Sequence, residues 1–291
     1  MGRKQNVRGN YVGVCKMKIT IVGLGLIGGS IAKALRESGK HEILAMDVDE
    51  QVLLDAMSAD VIKNKATYKD LEDSDVVYLC MYPEGIVEFA ERNKLHFGKN
   101  TIVTDVCGIK TQVYSRLKKA AAEGGFTYIG AHPMAGKELN TYSAAEASLY
   151  FGASYILIKD DSPKECFELL EGLAKEMGFG KIVYTTPEDH DQMIAYTSQL
   201  PHVLACAYVL SPRCEKHSGF SAGSYRDVSR VAKINEELWT DLFLDNREAL
   251  LKETDELIKN ITDIRNAVDA DDADALKALL ARARRAKENY G

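Results

Sequence analysis

The stretch Lys18-Ile-Thr-Ile-Val-Gly-Leu-Gly-Leu-Ile-Gly-Gly-Ser-Ile-Ala-Lys-Ala-Leu35 decides the fold of the N-terminal part of this chain. Its apolar residues 19–22 are typical of a buried parallel strand, and the spacing of apolar residues within 31–35 is typical of a helix. Three glycines separate the two segments with the spacing G-x-G-x-x-G, namely Gly23, Gly25 and Gly28. The sequence therefore predicts a strand, a glycine-rich turn and a helix in direct succession.

This spacing gives each glycine a separate mechanical role. Gly23 permits a tight turn after the strand, Gly25 lets the backbone approach a pyrophosphate closely, and Gly28 lets the helix pack against the strand. The N–H groups and the dipole at the start of the helix favour a bound anion. Asp47 ends the next apolar run, at the distance where a carboxylate can bind the ribose of a dinucleotide. We interpret the stretch as a dinucleotide-binding turn rather than a glycine-rich turn without a ligand.

The composition is that of an ordinary globular protein. A chain of 291 residues with 46% hydrophobic residues is long enough for two domains and a substantial core. The net charge of −6 gives no reason to expect nucleic acid or an anionic membrane as partner, and no apolar run approaches membrane-spanning length. Residues 1–16 are polar and basic, which predicts a flexible extension rather than a secretory signal. The cysteines form no C-x-x-C pair and no metal-binding cluster, which indicates a cytoplasmic protein without a metal site.

The pattern of apolar residues divides the rest of the chain into two domains. From residue 17 to residue 186, strand-like and helix-like segments alternate, and the last two strand-like segments cover residues 154–158 and 181–185. This alternation favours an α/β fold with a doubly wound, mostly parallel sheet of the Rossmann type. Residues 187–291 show no strand-like segment and predict an all-helical domain. The helices predicted there cover residues 188–210 with a kink at Pro201, residues 236–259 and residues 273–287.

Two segments at predicted strand ends carry residues that are suited to chemistry. In an open α/β sheet, ligands bind at the carboxyl ends of the strands. His132 follows such an end within residues 130–138, where it can serve as a general base or as a structural loop histidine. Asp105 and Lys110 lie at another strand end. Either Lys110 faces a nicotinamide or a substrate, or Asp105 caps a helix beside a solvated Lys110.

The helical part of the chain offers weaker candidates. Arg226 and Arg230 lie one helical turn apart, and an arginine can grip a carboxylate through two parallel hydrogen bonds. A surface salt bridge to Asp227 or Glu236 is the default interpretation of such a pair. His202 lies in an apolar helix, where a histidine is more often a satisfied core residue than a catalyst. The residues alone therefore assign no role to these side chains.

Taken together, six segments in this order resemble the prephenate/arogenate dehydrogenase family of tyrosine biosynthesis. They are residues 23–30, 105–110, 130–138, 200–202, 226–230 and 238–246. The His-Pro-Met-Ala-Gly sequence from His132 and the Arg-Asp-Val-Ser-Arg sequence that ends at Arg230 are far more specific than the glycine motif. The resemblance runs from about Met17 to the C-terminal helices. It implies an N-terminal dinucleotide-binding domain and a C-terminal helical domain that dimerises.

The resemblance also implies roles for particular residues. The cofactor pyrophosphate would be held by Gly23, Gly25, Leu26, Ile27 and Gly28, and the adenosine ribose by Asp47. His132 would accept the proton of the ring hydroxyl of the substrate. Arg230 would bind a substrate carboxylate, His202 would lie close to the substrate and Asp227 would help to gate the site. Lys110 completes the set of expected substrate-binding residues.

The chain departs from the family pattern at two positions. Gly108 stands where the family commonly carries a serine that supports the catalytic histidine and the substrate hydroxyl. Lys137 stands where the family frequently carries a threonine. The first departure puts the orientation of His132 in question. A thiol is a poor hydrogen-bond donor, so the neighbouring Cys107 would replace the serine only weakly.

The function expected from the resemblance is NAD-dependent oxidative decarboxylation of prephenate to 4-hydroxyphenylpyruvate, carried out by a homodimer. An arogenate dehydrogenase is the first alternative enzyme, and a hydroxy-acid dehydrogenase is a more remote one. A hydroxy-acid dehydrogenase would more usually carry a lysine base in the helical domain, and the sequence offers no clear candidate for it. An NAD-binding sensor without turnover is the non-enzymatic alternative.

Asp47 would repel a 2′-phosphate, and residues 48–50 supply no arginine, so we expect NAD rather than NADP. Residues 194–210 are apolar on nearly every side, which favours dimerisation through the helical domain.

Overall fold

The computed structural model of the chain describes residues 16–137 and 139–290. The chain divides into two compact units, the first ending at His190 and the second beginning at Asp191. The predicted domain boundary at Pro187 falls in the first turn of the helix that contains this division. Most of the predicted extension, residues 1–15, lies outside the described residues, as does Glu138 of the histidine-containing motif.

The first unit contains a six-stranded parallel sheet, which confirms the predicted Rossmann-type fold. Its strands have the spatial order β3-β2-β1-β4-β5-β6, and every pair is parallel. The strands are β1 Lys18–Val22, β2 Glu42–Met46, β3 Asn64–Lys65, β4 Val76–Leu79, β5 Ile102–Asp105 and β6 Thr127–Ile129. The connecting helices are α1 Leu26–Glu37, α2 Glu50–Ser58, α3 Tyr68–Asp73, α4 Pro83–Asn93 and α5 Thr111–Gly124. Parallel pairing places the carboxyl ends of these strands at one edge.

A second, smaller sheet follows the first along the chain. Strand β7, Ala131–Pro133, pairs antiparallel with β8, Ser154–Ile158, which pairs parallel with β9, Lys181–Thr185. Helix α6, Lys164–Glu176, connects β8 to β9. The predicted strands at 154–158 and 181–185 therefore form, but outside the main sheet.

The chain leaves the main sheet at Gly130, between β6 and β7. The Gly130 carbonyl accepts a hydrogen bond of 2.8 Å from the Ile158 N–H. A Cβ atom at Gly130 would lie 3.1 Å from the Ile158 side chain, so a larger residue would crowd this crossing. The step from β6 to β7 consequently turns the chain toward β8 and places His132 in the smaller sheet.

Within the described residues from 191 onward the second unit contains only helices, which confirms the predicted helical part. Its elements are the end of α7 Pro187–Ile194, a π-helical segment Ala195–Gln199, α8 Leu200–Val209, α9 Gly223–Ser229, α10 Glu236–Asp245, α11 Arg247–Asp269 and α12 Ala273–Tyr290. The wide π turn lies directly before Pro201, where the sequence predicts a kink. None of the described helices is long and apolar enough to cross a membrane.

The predicted helix over residues 236–259 is wrong, because the structure has two helices there. Asn246 separates α10 from α11, and its φ of −110° and ψ of 30° are not helical. The Asn246 amide donates hydrogen bonds of 2.8 Å to the Asp191 carbonyl and to Gln199 Oε1. Its buried side chain thus ties the break to the start of the helical unit. These tertiary hydrogen bonds override the local helical periodicity.

Candidate active site

The glycine-rich turn after β1 is built so that only glycine fits at two of its positions. Gly23 has a φ of +95°, and a Cβ atom there would lie 2.4 Å from the Cys80 carbonyl oxygen. A Cβ atom at Gly28 would lie 1.9 Å from the Gly23 carbonyl oxygen. The first glycine therefore lets β1 run beside β4, and the second lets α1 begin directly against the turn.

The start of α1 presents a hydrogen-bond donor to an oxygen atom from outside the helix. The Leu26 N–H donates a hydrogen bond of 3.0 Å to the Asn140 carbonyl oxygen, and a Cβ atom at Gly25 would lie 2.9 Å from the same oxygen. This backbone carbonyl occupies the kind of position that a phosphate oxygen takes at a helix N-terminus. The close approach over Gly25 and the Leu26 N–H that points to an oxygen from outside the helix fit a pyrophosphate group.

Asp47 lies beside this turn, immediately after β2. Its two carboxylate oxygens accept hydrogen bonds from the backbone, Oδ2 from the Leu24 N–H at 2.6 Å and Oδ1 from the Asp49 N–H at 2.8 Å. Each carboxylate oxygen can accept more than one hydrogen bond, so the group retains capacity for ribose hydroxyls. The side chain is therefore held in a fixed orientation at the end of β2.

His132, on β7, forms a pair with a second histidine. His132 Nδ1 lies 2.9 Å from His190 Nε2, and the two rings meet edge to face with centroids 5.1 Å apart. Burial holds the pKa of His132 well below the usual histidine value, and electrostatic repulsion from His190 and Lys110 lowers it further. The His132 ring is therefore neutral at pH 7, which is the state that a general base requires.

His190 had no informative context in the sequence. It is buried near the start of α7, whereas its partner lies on a strand 58 residues earlier in the chain. No motif or periodicity marks it, because the pairing depends entirely on how α7 packs against β7. Only the three-dimensional structure brings the two imidazoles together.

The Asp105 side chain organises the backbone next to His132. Asp105 Oδ2 accepts hydrogen bonds from Lys110 Nζ at 2.6 Å and from the Cys107 N–H at 2.9 Å. Asp105 Oδ1 accepts hydrogen bonds from the Tyr128 hydroxyl at 2.8 Å and from the Ala131 N–H at 3.2 Å. Because Ala131 directly precedes His132, this carboxylate fixes the start of β7.

The structure corrects the expected place of Lys110. Both the Lys110 and Asp105 side chains have 0% exposure, so Lys110 is neither the solvated lysine of one interpretation nor an ammonium group open to a ligand. Its Nζ donates to Asp105 and, at 2.7 Å, to the Cys107 carbonyl. Asp105 does not cap α5 either, since the residue before that helix is Lys110 itself. An internal ion pair satisfies both buried charges, which is why the lysine turns inward.

In the helical unit, His202 stacks on Trp239, which belongs to the segment 238–246 that carries the family resemblance. The ring centroids of His202 and Trp239 lie 3.7 Å apart, and His202 Nδ1 donates a hydrogen bond of 2.8 Å to the Ser198 carbonyl in the π-helical segment. Partial burial lowers the pKa of His202, and the charge of Arg230 lowers it further. His202, Trp239 and Arg230 are therefore neighbours.

The remaining charged candidates lie near the end of α9. Asp227 belongs to this helix and Arg230 begins the 3₁₀ turn that follows it, and both residues are exposed to solvent. Within residues 16–137 and 139–290, no group of three or more histidine, cysteine or carboxylate side chains could hold a metal ion. Arg230 and His202 are close enough for the arginine charge to lower the pKa of the histidine, so a guanidinium and an imidazole lie together in this part of the unit.

Comparison with known protein families gives two consecutive matches. The model described as prephenate dehydrogenase, nucleotide-binding domain, matches residues 31–184. The model described as prephenate dehydrogenase, dimerization domain, matches residues 186–282. The glycine-rich turn precedes the first matched segment, so its assignment rests on its own geometry.

Individual relatives span most of the chain. The prephenate dehydrogenase of Bacillus subtilis is 29% identical over 267 residues, which are 88% of this chain and 71% of that protein. A crystal structure of prephenate dehydrogenase from A. aeolicus, in complex with hydroxyphenyl propionate and NAD+, is 26% identical with a TM-score of 0.84 over 96% of this chain and 99% of that one. The structure of Synechocystis arogenate dehydrogenase is 27% identical with a TM-score of 0.81, over 94% of this chain and all of that one.

Proposed function

Because the chain belongs to the prephenate dehydrogenase family, as its motifs predicted, we propose that it catalyses the NAD-dependent oxidative decarboxylation of prephenate to 4-hydroxyphenylpyruvate. The observation that carries this proposal is the neutral His132 on β7, next to a strand end of a nucleotide-binding domain. A base at that place is what removal of a hydroxyl proton requires.

We propose that His132 acts through Nε2. Its Nδ1 is engaged with His190, so Nε2 is the ring nitrogen that can take the proton of the substrate's ring hydroxyl. Bound NAD would supply the acceptor for the hydride that leaves the carbon bearing this hydroxyl. The hydroxyl oxygen becomes a carbonyl, and the ring carboxylate then departs as carbon dioxide. The electron pair of the broken carbon–carbon bond moves through the ring to the carbonyl oxygen, which takes up a proton to give the phenol as the ring becomes aromatic. Since aromatisation drives the reaction, the protein mainly needs to position the reactants.

Residues of the glycine-rich turn would hold the cofactor. The N–H groups of Leu26 and Ile27 at the start of α1 would bind the pyrophosphate, with Gly23, Gly25 and Gly28 providing the space. The Asn140 carbonyl now accepts the Leu26 N–H, so pyrophosphate binding at this atom requires the Asn140 hydrogen bond to break. Asp47 would accept hydrogen bonds from the ribose hydroxyls, and its charge would repel the 2′-phosphate of NADP.

The substrate carboxylate would be bound in the helical unit. Arg230 would form the paired hydrogen bonds that a guanidinium makes with a carboxylate, beside His202 with its ring stacked on Trp239. Asp227, three residues before Arg230, would help to gate access to this arginine. Lys110 has a different role in this proposal. Burial is the main cause of the lowered pKa of His132, and the charge of the buried Lys110 lowers it further without contact between Lys110 and the substrate.

We propose further that the protein is a homodimer formed through the helical unit. The C-terminal residues match a dimerization domain. On α11, five apolar side chains are at least 40% exposed at helical spacing, which forms one stripe; they are Leu251, Ile258, Ile261, Ile264 and Val268. An exposed apolar stripe of this kind is typical of a helix that packs against another subunit. We call these five residues the α11 stripe.

Arogenate is the second candidate substrate, because the arogenate dehydrogenase of Synechocystis is about as similar to this chain as the prephenate dehydrogenase structure is. Initial rates of NADH or NADPH formation with prephenate and with arogenate, each with NAD and with NADP, test the proposal. We expect turnover with NAD and prephenate, and a higher kcat/KM for NAD than for NADP. Turnover with arogenate but not with prephenate would show that arogenate is the substrate. A preference for NADP would contradict the proposed role of Asp47. Binding of NAD without turnover of either substrate would indicate a sensor.

A further inference from the structure

We propose that His190 is a positioning residue, which holds the His132 ring in the tautomer and orientation that the reaction needs. This inference rests on the proposed function, because it assigns His190 a role in a proton transfer to His132. The family matches name whole domains and give no role to this residue.

The contact couples the tautomers of the two rings. Two imidazoles can share a hydrogen bond only if one ring nitrogen donates and the other accepts. For His132 to accept the substrate proton at Nε2, its Nδ1 must carry hydrogen, and His190 Nε2, 2.9 Å away, must then be the acceptor. The same bond remains when His132 becomes a cation, since Nδ1 still carries its hydrogen. In the proposed arrangement the pair holds the reactive tautomer before the reaction, and the hydrogen bond is kept during it.

Both partners of this contact are held firmly in place. His190 is 2% exposed, and its backbone N–H donates a hydrogen bond of 3.0 Å to the Thr186 carbonyl. His132 lies on β7 opposite Ile156 in the antiparallel pair, one residue after the Ala131 N–H that Asp105 holds. The hydrogen bond between the rings thus connects a rigid helix start to a rigid strand, and this arrangement limits rotation of the His132 ring.

A neutral imidazole suits this role better than a charged partner. A carboxylate hydrogen-bonded to Nδ1 would stabilise the imidazolium and raise the pKa of His132. A second histidine at 2.9 Å does not, because protonation of both rings would place two positive charges side by side. The base then remains neutral in the resting enzyme. Gly108, which replaces the serine common in the family, brings no side chain that could orient the ring. The His190 contact accounts for how this chain orients its base without that hydroxyl.

The test compares two substitutions of His190 in the full-length protein with prephenate and NAD. His190→Leu fills a similar volume but removes the acceptor, so we expect kcat to fall roughly 10- to 100-fold while KM for prephenate and for NAD changes less than about threefold. His190→Gln can place Oε1 near the former Nε2, so it should recover most of the lost kcat. A matched control is His41→Leu, which removes another buried histidine, bonded to Glu176 in the same unit, and should leave kcat near the wild-type value.

A second arm separates positioning from a general structural role. In the His132→Asn background, His190→Leu should cause no further loss of kcat, because the residue that it positions is already absent. An equal fold-loss in both backgrounds, or an unchanged kcat in the single variant, would overturn the inference. If the wild-type protein forms no NADH with prephenate or arogenate, the proposed function fails and the inference falls with it. An active wild type with an unaffected His190→Leu variant refutes the inference alone.

Discussion

At the scale of single residues, the His132 side chain sets the pH range in which the proposed reaction can run. Burial and electrostatic repulsion from His190 and Lys110 hold its pKa well below the ordinary histidine value of about 6.5. Protonation of Nε2 would block the base, so kcat/KM should be constant near pH 7 and fall only when the pH drops through this lowered pKa. A profile of kcat/KM against pH measures this limb. An acidic limb with a midpoint above about 6.5 would contradict the assignment.

The buried ion pair between Asp105 and Lys110 makes a second prediction at this scale. Lys110→Met leaves the Asp105 charge buried without its partner, so the free energy of unfolding should fall by about 3–5 kcal/mol. Lys110→Met combined with Asp105→Asn removes both charges and should regain part of this loss. Thermal and urea unfolding measure both variants.

The matched control for this ion pair is Lys164→Met, which breaks an exposed pair with Glu168. It should leave stability nearly unchanged, because solvent screens such pairs. If Lys110→Met is as stable as the control, the buried pair does not hold the strand end together.

The sequence predicted the positions of those candidate residues that local geometry determines. The turn glycines and Asp47 belong to one strand–turn–helix pattern with fixed spacing, so their places could be read without tertiary information. The inward direction of Lys110 and the pairing of His132 with His190 depend on packing between distant segments. Periodicity carries no information about such contacts, and both were missed for this reason.

At the scale of secondary-structure elements, Asn246 decides where α10 ends and α11 begins. Its amide donates to Gln199 Oε1, and Gln199 Nε2 in turn donates to the Leu242 carbonyl at 2.8 Å. Asn246→Leu leaves the buried Gln199 oxygen and the Asp191 carbonyl without this donor, so stability should fall by about 1–3 kcal/mol. Asn266→Leu is the control and should have little effect, because Asn266 is exposed on α11 and its side chain bonds the neighbouring Arg265. Equal unfolding midpoints for the two variants would show that the break does not depend on this network.

The Asn246 side chain also explains why the sequence predicts one continuous helix where the structure has two. Residues 236–259 have the apolar spacing of one helix, and the pattern predicts nothing about a buried amide that requires a non-helical backbone. The smaller sheet is a similar case. Strands β8 and β9 were predicted with their correct bounds, but their assignment to a separate sheet depends on the crossing at Gly130. Local patterns thus give the elements, and contacts between distant residues decide how they combine.

At the scale of the whole molecule, the helical unit lacks the buried core that its length would allow. Along the 23 residues of α11 only Leu250 and Ala267 are buried, and α12 has no buried residue among those described. Ile258→Glu with Ile261→Glu puts two charges into the α11 stripe, so a dimer formed through it should dissociate to monomers. Light scattering at micromolar concentration measures the mass of each variant.

The control for the stripe is Lys259→Glu, which places a carboxylate on the opposite side of α11 and should remain dimeric. A wild-type protein that is monomeric at this concentration, or a double variant with unchanged mass, would contradict assembly through this surface.

The central claim is that His132 is the base for an NAD-dependent dehydrogenation, and one comparison tests it most directly. Steady-state NADH formation with prephenate is measured for the wild type and for His132→Asn, which keeps a polar group but removes the base. The account predicts a loss of kcat of roughly 10²-fold or more, with a modest change in KM and unchanged binding of NAD. A His132→Asn variant that retains most of the wild-type kcat would contradict the mechanism.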